Sequence, residues 1–201
     1  MLKIGLTGGV GNGKSLVCRI FHLFGAPVFN ADLAAKRLYD TDSNLRNRII
    51  SAFGSDIYDS SNRIDRAKLA KLIFSDRDSL QKINELVHPA VINDFNRYAA
   101  SLPDGTPYVI HETAILYEAK MQNMFDAIIN VCAPENLKII RAVSRGDDEN
   151  DIKKRIASQL PDNFKKEAAD FNIVNDDKTL ILPQIVAIHN ELSKSCLILR
   201  R

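Results

Sequence analysis

The chain has 201 residues, 45% hydrophobic and 26% charged, with a net charge of +2 at pH 7. That length suits one α/β domain with inserted subdomains and a sizeable buried core. The near-neutral balance offers no basis for a nucleic-acid or membrane-surface partner, and no apolar run reaches the roughly 18 residues of a bilayer crossing. The start of the sequence lacks a signal-peptide pattern. Three cysteines, Cys18, Cys132 and Cys196, are odd in number and lack metal-ligand spacing, which reads as reduced thiols in a cytoplasmic protein.

Residues 1–16 read MLKIGLTGGVGNGKSL. Lys3 to Thr7 form a short, mostly apolar run fit for a buried strand. Gly8, Gly13, Lys14 and Ser15 then match G-x-x-x-x-G-K-[ST], a phosphate-binding loop that also takes in Gly11 and Asn12. Glycines let backbone N–H groups wrap phosphate oxygens, Lys14 reaches the β- and γ-phosphates, and Ser15 offers a hydroxyl to Mg²⁺. From Lys14 onward, Val17, Ile20, Phe21 and Phe24 share one helical face, and Gly25 supplies the stop. Strand, loop and helix arrive in the order that nucleotide binding requires.

Pro27 to Phe29 is a second strand candidate, followed by a helix from Asp32 to Tyr39. Asp32 reads either as a helix cap or as a carboxylate facing a ligand crevice past a strand's end. Residues 40–65 read as a helix plus an irregular connection. Helices are expected at 66–74, with Leu69, Leu72 and Ile73 apolar, and at 78–87. His88-Pro89 breaks the pattern, since proline disfavours helical geometry in the residue before it, and a separate helix follows at 90–99. A third strand, Tyr108 to Ile110, ends in His111-Glu112, where an acid could lie near Mg²⁺ or the reacting oxygens. The fourth strand is expected at 126–131 and a helix at 134–143. The charged run from Arg141 onward, with Arg145, Lys153, Lys154, Arg155, Lys165 and Lys166, reads as a solvated helix face or as a cationic lid for phosphoryl transfer. The fifth strand is expected at 171–174 and a closing helix at 179–199, striped by Ile185, Ile188, Leu192 and Cys196.

These landmarks together resemble the dephospho-coenzyme A kinase family. The residues that carry the resemblance are GLTGGVGNGKS, Ala31-Asp32, the Arg66–Leu69–Ile73–Phe74 pattern, His88-Pro89, HETAILYE, Arg141 with Arg145, RIASQ and AADFNIVND. The resemblance implies a P-loop kinase-like three-layer α/β sandwich, with a five-stranded parallel sheet flanked by helices. Its core would cover about 1–60, 104–144 and 167–201, with a helical CoA-binding insertion at about 61–103 and a lid at about 145–166. It implies transfer of the γ-phosphate of ATP to the ribose 3′-hydroxyl of dephospho-CoA, with Mg²⁺, in a monomer or small homo-oligomer.

Residue by residue, the resemblance implies that Gly8, Gly11, Asn12, Gly13, Lys14, Ser15 and Leu16 hold the phosphates. Asp32 would be the general base, Arg141 and Arg145 the cations toward ATP and the transferring phosphoryl, and Asn175 a neighbour of adenine. Lys36, Arg66, His88 and Glu112 would face the substrate. The chain departs from the family at Asn30, commonly an acid, and at Lys36, commonly Arg. Residues 112–118, Glu-Thr-Ala-Ile-Leu-Tyr-Glu, replace the usual Asp-x-Pro-Leu-Leu-Phe-Glu. Lys36 keeps the charge without the bidentate fork. The competing expectations are a nucleoside or nucleoside-monophosphate kinase of the same fold, and a GTP-dependent switch protein, for which the sequence lacks an Asn-Lys-x-Asp loop.

Overall fold

The structure is a computed structural model that describes residues 1–198, apart from the side chains of residues 73–75, 77 and 195–198. The expected apolar positions Ile73, Phe74 and Cys196 and the expected helix end at Leu199 lie outside the described residues. In chain order the elements are β1 (Leu2–Thr7), α1 (Lys14–Leu23), β2 (Val28–Asn30), α2 (Ala31–Thr41), α3 (Ser43–Phe53), α4 (Arg66–Ser75), α5 (Arg77–Ala100), β3 (Tyr108–Glu112), β4 (Ala127–Cys132), α6 (Glu135–Val143), α7 (Glu149–Ser158), α8 (Asp162–Ala168), β5 (Phe171–Val174) and α9 (Ile181–Ile198). The chain divides into two compact units, one of Met1–Phe29 with everything from Leu102 onward, the other Asn30–Ser101.

In the first unit the strands form one parallel sheet in the order β2-β3-β1-β4-β5. β1 lies at the centre, with Leu6 opposite Glu112 of β3 on one side and opposite Ile129 of β4 on the other. The strands are short apolar runs because both faces of the sheet are covered. Ile4, Leu6, Tyr108, Ile110, Ile129, Val131 and Ile173 are fully buried, and Val17, Phe21, Ile185 and Leu192 of α1 and α9 pack into the same core. Such an order places a topological switch beside β1, the position where parallel sheets bind ligands at the strands' carboxyl ends. The loop that leaves β1 there is the glycine-rich one.

The second unit is helical. Two expectations are corrected in it. The first concerns Asp32, expected at or near the cap of α2: the cap is Asn30, whose Oδ1 accepts the Leu33 N–H at 2.7 Å, and Asp32 stands exposed two residues on, in the first turn. The second is the break at His88-Pro89, because α5 runs unbroken through Pro89. The physical reason is a buried stripe at four-residue spacing, Ile83, Val87, Val91, Phe95 and Ala99, packed among α2, α3 and α4. Proline's fixed φ is compatible with a helix, and its cost is one backbone hydrogen bond and crowding of the preceding turn. Burial of five apolar side chains outweighs that cost.

Candidate active site

Thr7 ends β1 fully buried, and the chain must turn within six residues into α1. Gly11 and Gly13 do so in left-handed geometry, with φ of 78° and 89°. A β-carbon on Gly11 would lie 2.5 Å from the Lys138 carbonyl oxygen, and one on Gly13 would strike the Asn175 amide. The loop therefore lies closer to α6 and to the end of β5 than any side chain permits.

Distant polar side chains brace it. Asn12 is buried; its Nδ2 donates to the Val131 carbonyl of β4 at 2.6 Å, while its own carbonyl accepts from Asn175 Nδ2 at 2.8 Å. Asn175, just past β5, anchors its backbone N–H on the Cys132 carbonyl at 2.8 Å. The Arg141 guanidinium donates to the Asn175 carbonyl at 3.1 Å and to its Oδ1 at 3.3 Å, and reaches Asp177 at 2.5 Å. Arg141, Asn175 and Asn12 thus form one hydrogen-bonded chain from α6 to the loop. Lys14 Nζ arches over the loop, donating to the Gly8 carbonyl at 2.8 Å and the Gly9 carbonyl at 3.3 Å. Beneath it, the backbone N–H groups of the first turn of α1 point toward the loop, and the helix dipole adds positive potential there. That combination binds an anion.

Ser15 and Leu16 are exposed in the first turn of α1, whereas Glu112 is buried at the end of β3. The Thr113 N–H donates to the Leu6 carbonyl at 3.0 Å, which holds Glu112 beside the end of β1. Burial pushes the Cys18 thiol far up, with the Glu112 charge adding and the Lys14 charge opposing. An acid and an ammonium therefore both act at this end of α1. Among the described residues no group of three or more His, Cys, Asp or Glu could hold a metal. A hydroxyl on Ser15 and a carboxylate on Glu112 suit a cation that keeps water and substrate phosphates as its other ligands, the habit of Mg²⁺.

The dephospho-CoA kinase family profile matches residues 2–180. The chain belongs to the dephospho-CoA kinase family. The dephospho-CoA kinase of Porphyromonas gingivalis is 35% identical over 190 residues, which cover 94% of this chain and 93% of that protein. Among solved structures, TT1252 from Thermus thermophilus superposes with a TM-score of 0.79 at 26% identity, over 96% of this chain and 97% of that one. The dephospho-CoA kinase from Campylobacter jejuni shares the fold, with a TM-score of 0.70 at 22% identity over 96% and 98% of the two chains. Membership of that family makes the chain a kinase, a phosphotransferase, on a P-loop kinase-like fold.

The residues expected to act in a dephospho-CoA kinase fall into both units. The loop Gly8–Leu16, Glu112, Arg141, Arg145 and Asn175 belong to the first. Arg145 is exposed, 4.0 Å from Asp147. Asp32, Lys36, Arg66 and His88 belong to the second. Asp32 and Lys36 are exposed one turn apart on α2, and Arg66 pairs with Asp40 of α2 at 3.7 Å. His88 is half-buried in α5, and burial pushes its imidazole below the ordinary range.

Several polar residues around the loop received no role from the sequence. Gln159 Oε1 accepts the Val10 N–H at 3.0 Å. Lys138, buried on α6, pairs with Asp162. Lys165 corrects an expectation: placed by the sequence in a solvated or lid-forming charged run, it is fully buried on α8 and pairs with Glu118 at 2.7 Å. A lysine carries no local sequence signal of burial, and the partners of Lys138 and Lys165 lie 24 and 47 residues away.

Proposed function

We propose that this enzyme transfers the γ-phosphate of ATP to the ribose 3′-hydroxyl of dephospho-CoA, giving CoA and ADP, the last step of coenzyme A biosynthesis. The observation that carries this reading is the braced phosphate loop, in a chain that matches the dephospho-CoA kinase family over residues 2–180.

The residues divide the work by chemistry. Loop amides from Gly8 to Leu16 and the Lys14 ammonium hold the β- and γ-phosphates. Ser15 would hold Mg²⁺, which when bound offsets charge on the phosphate oxygens, and Glu112 would face the substrate. Asp32 accepts the proton of the attacking hydroxyl; its carboxylate, exposed in the first turn of α2, is accessible for that task. Arg141 and Arg145 draw charge from the transferring phosphoryl, and Asn175 neighbours adenine. Phosphoryl transfer asks little more of a protein than positioning and charge.

Lys36, Arg66 and His88 face the acceptor, with the helices of about 61–103 binding its CoA portion and about 145–166 closing as a lid. Catalysis in the cytoplasm, by a monomer or small homo-oligomer, completes the proposal; the free thiols of Cys18 and Cys132 support that compartment.

An ADP-release assay with Mg²⁺ and three acceptors, dephospho-CoA, AMP and adenosine, tests the reading. The expected result is turnover with dephospho-CoA alone. Preference for AMP or adenosine would replace the substrate and keep the fold, and tight GTP binding with no transfer would point to a switch protein.

A further inference from the structure

Gln159 stands at the corner between α7 and α8, 149 residues from the loop residue that it touches. Its Oε1 accepts the Val10 N–H at 3.0 Å, and its Nε2 donates to the Ala114 carbonyl at 3.4 Å, two residues past Glu112. One amide thus joins the apex of the phosphate loop to the segment that follows β3. The approach is close, since a β-carbon on Gly9 would lie 3.2 Å from Gln159 Oε1.

The corner that carries Gln159, inside the segment proposed as the lid, is held in this structure by side chains from outside that segment. The neighbouring Leu160 N–H donates to Glu118 Oε1 at 3.0 Å, Asp162 pairs with the buried Lys138, and Lys165 pairs with Glu118 at 2.7 Å. Behind Gln159 a cavity of about 300 Å³ opens between α6 and the corner, lined also by Glu135, Lys138 and Ile156. The glutamine is therefore not required to fill space. It spans from an anchored backbone to the loop, with room to swing away.

We propose that Gln159 is a positioning residue for phosphoryl transfer, one that clamps the apex of the phosphate loop and so holds the shape in which the loop receives ATP. With the Val10 N–H committed to Gln159, the loop turns so that the amides at the start of α1, those of Lys14 and Ser15, converge on the phosphate. Without the clamp the Gly9–Gly11 turn gains freedom that nucleotide must remove on binding, which weakens ATP and ADP alike. Gln159 acts only through the loop. The inference rests on the nucleotide-binding reading of that loop and needs nothing from the acceptor.

The test is ADP titration by calorimetry, with steady-state kinetics on the full chain. Gln159→Met keeps the side chain's length and removes both hydrogen bonds. It should weaken ADP and raise the KM for ATP by about 3- to 10-fold, the worth of one neutral hydrogen bond. The KM for dephospho-CoA should stay at its wild-type value, and the Tm should fall only by the few degrees that two lost hydrogen bonds carry.

Gly9→Ala crowds the same oxygen, so its effect and that of Gln159→Met should combine to less than their product, as coupled neighbours do. Wild-type ADP affinity in Gln159→Met, or fully multiplicative effects in the double variant, would each overturn the clamp. ADP titration contains no acceptor, so failure of transfer to dephospho-CoA in the wild-type enzyme would count against the substrate and leave the clamp standing.

Discussion

Asp32 and His111 illustrate opposite fates of a titratable side chain in this enzyme. Asp32 projects from the first turn of α2, exposed, where the helix dipole favours its charge. Its proposed task is to take one proton, so Asp32→Asn should lower kcat by about 10²- to 10⁴-fold and leave the KM for ATP near wild type. Steady-state kinetics checks this, and near-normal turnover would remove Asp32 from the role of base. His111 is fully buried on β3, with ring centroids 5.5 Å from Phe29 and 5.3 Å from Phe125. Burial pushes its imidazole from 6.5 down to about 4. Since the folded value is the lower one, the unfolded chain binds the proton more readily. Stability is therefore complete above about 6.5 and is lost as pH falls toward 4, on the order of 3 kcal/mol in all. His111→Gln should lose less Tm than wild type between neutral pH and about pH 5, as read by thermal melts; an equal loss would assign acid sensitivity to other groups.

At the scale of elements, one feature of each compact unit yields a stability prediction. In α5 the exposed Pro89 interrupts the backbone bonding of a helix held by its buried stripe. Pro89→Ala restores a donor and relieves the turn, so it should raise unfolding free energy by about 1–3 kcal/mol, measurable by denaturant melts. A loss of stability would mean that proline is fitted to a bend here. In α8 the fully buried Lys165 has Glu118 as its counter-ion. Lys165→Met strands that carboxylate and should cost about 3–5 kcal/mol, whereas adding Glu118→Gln should recover much of the loss. Strictly additive losses in the pair would deny that coupling. The strands were legible in the sequence because both faces of the sheet are buried, which leaves short apolar runs such as Tyr108–Ile110. The continuity of α5 was not, because the rule against helix before proline is local and the compensation at Ile83, Val87, Val91, Phe95 and Ala99 comes from tertiary packing. Nor could the sequence show Gln159 at the loop, since nothing in a local window marks a glutamine for a partner 149 residues away.

For the whole molecule, the strand order around β1 and the glycine-rich loop carry the proposed nucleotide site, and the family match decides which acceptor to test. A P-loop alone belongs to many chemistries, and the fold by itself does not select among them. What ties this chain to one reaction is the sequence of motifs along residues 2–180, spread over both compact units. The central claim is regiospecific transfer to dephospho-CoA. The most direct measurement is phosphorus NMR of the product formed from ATP, Mg²⁺ and dephospho-CoA. The predicted spectrum shows one new phosphomonoester coupled to the ribose H3′ proton, appearing in step with ADP. A phosphate at the 2′ position, or ADP released with inorganic phosphate and no new ester, would contradict the account.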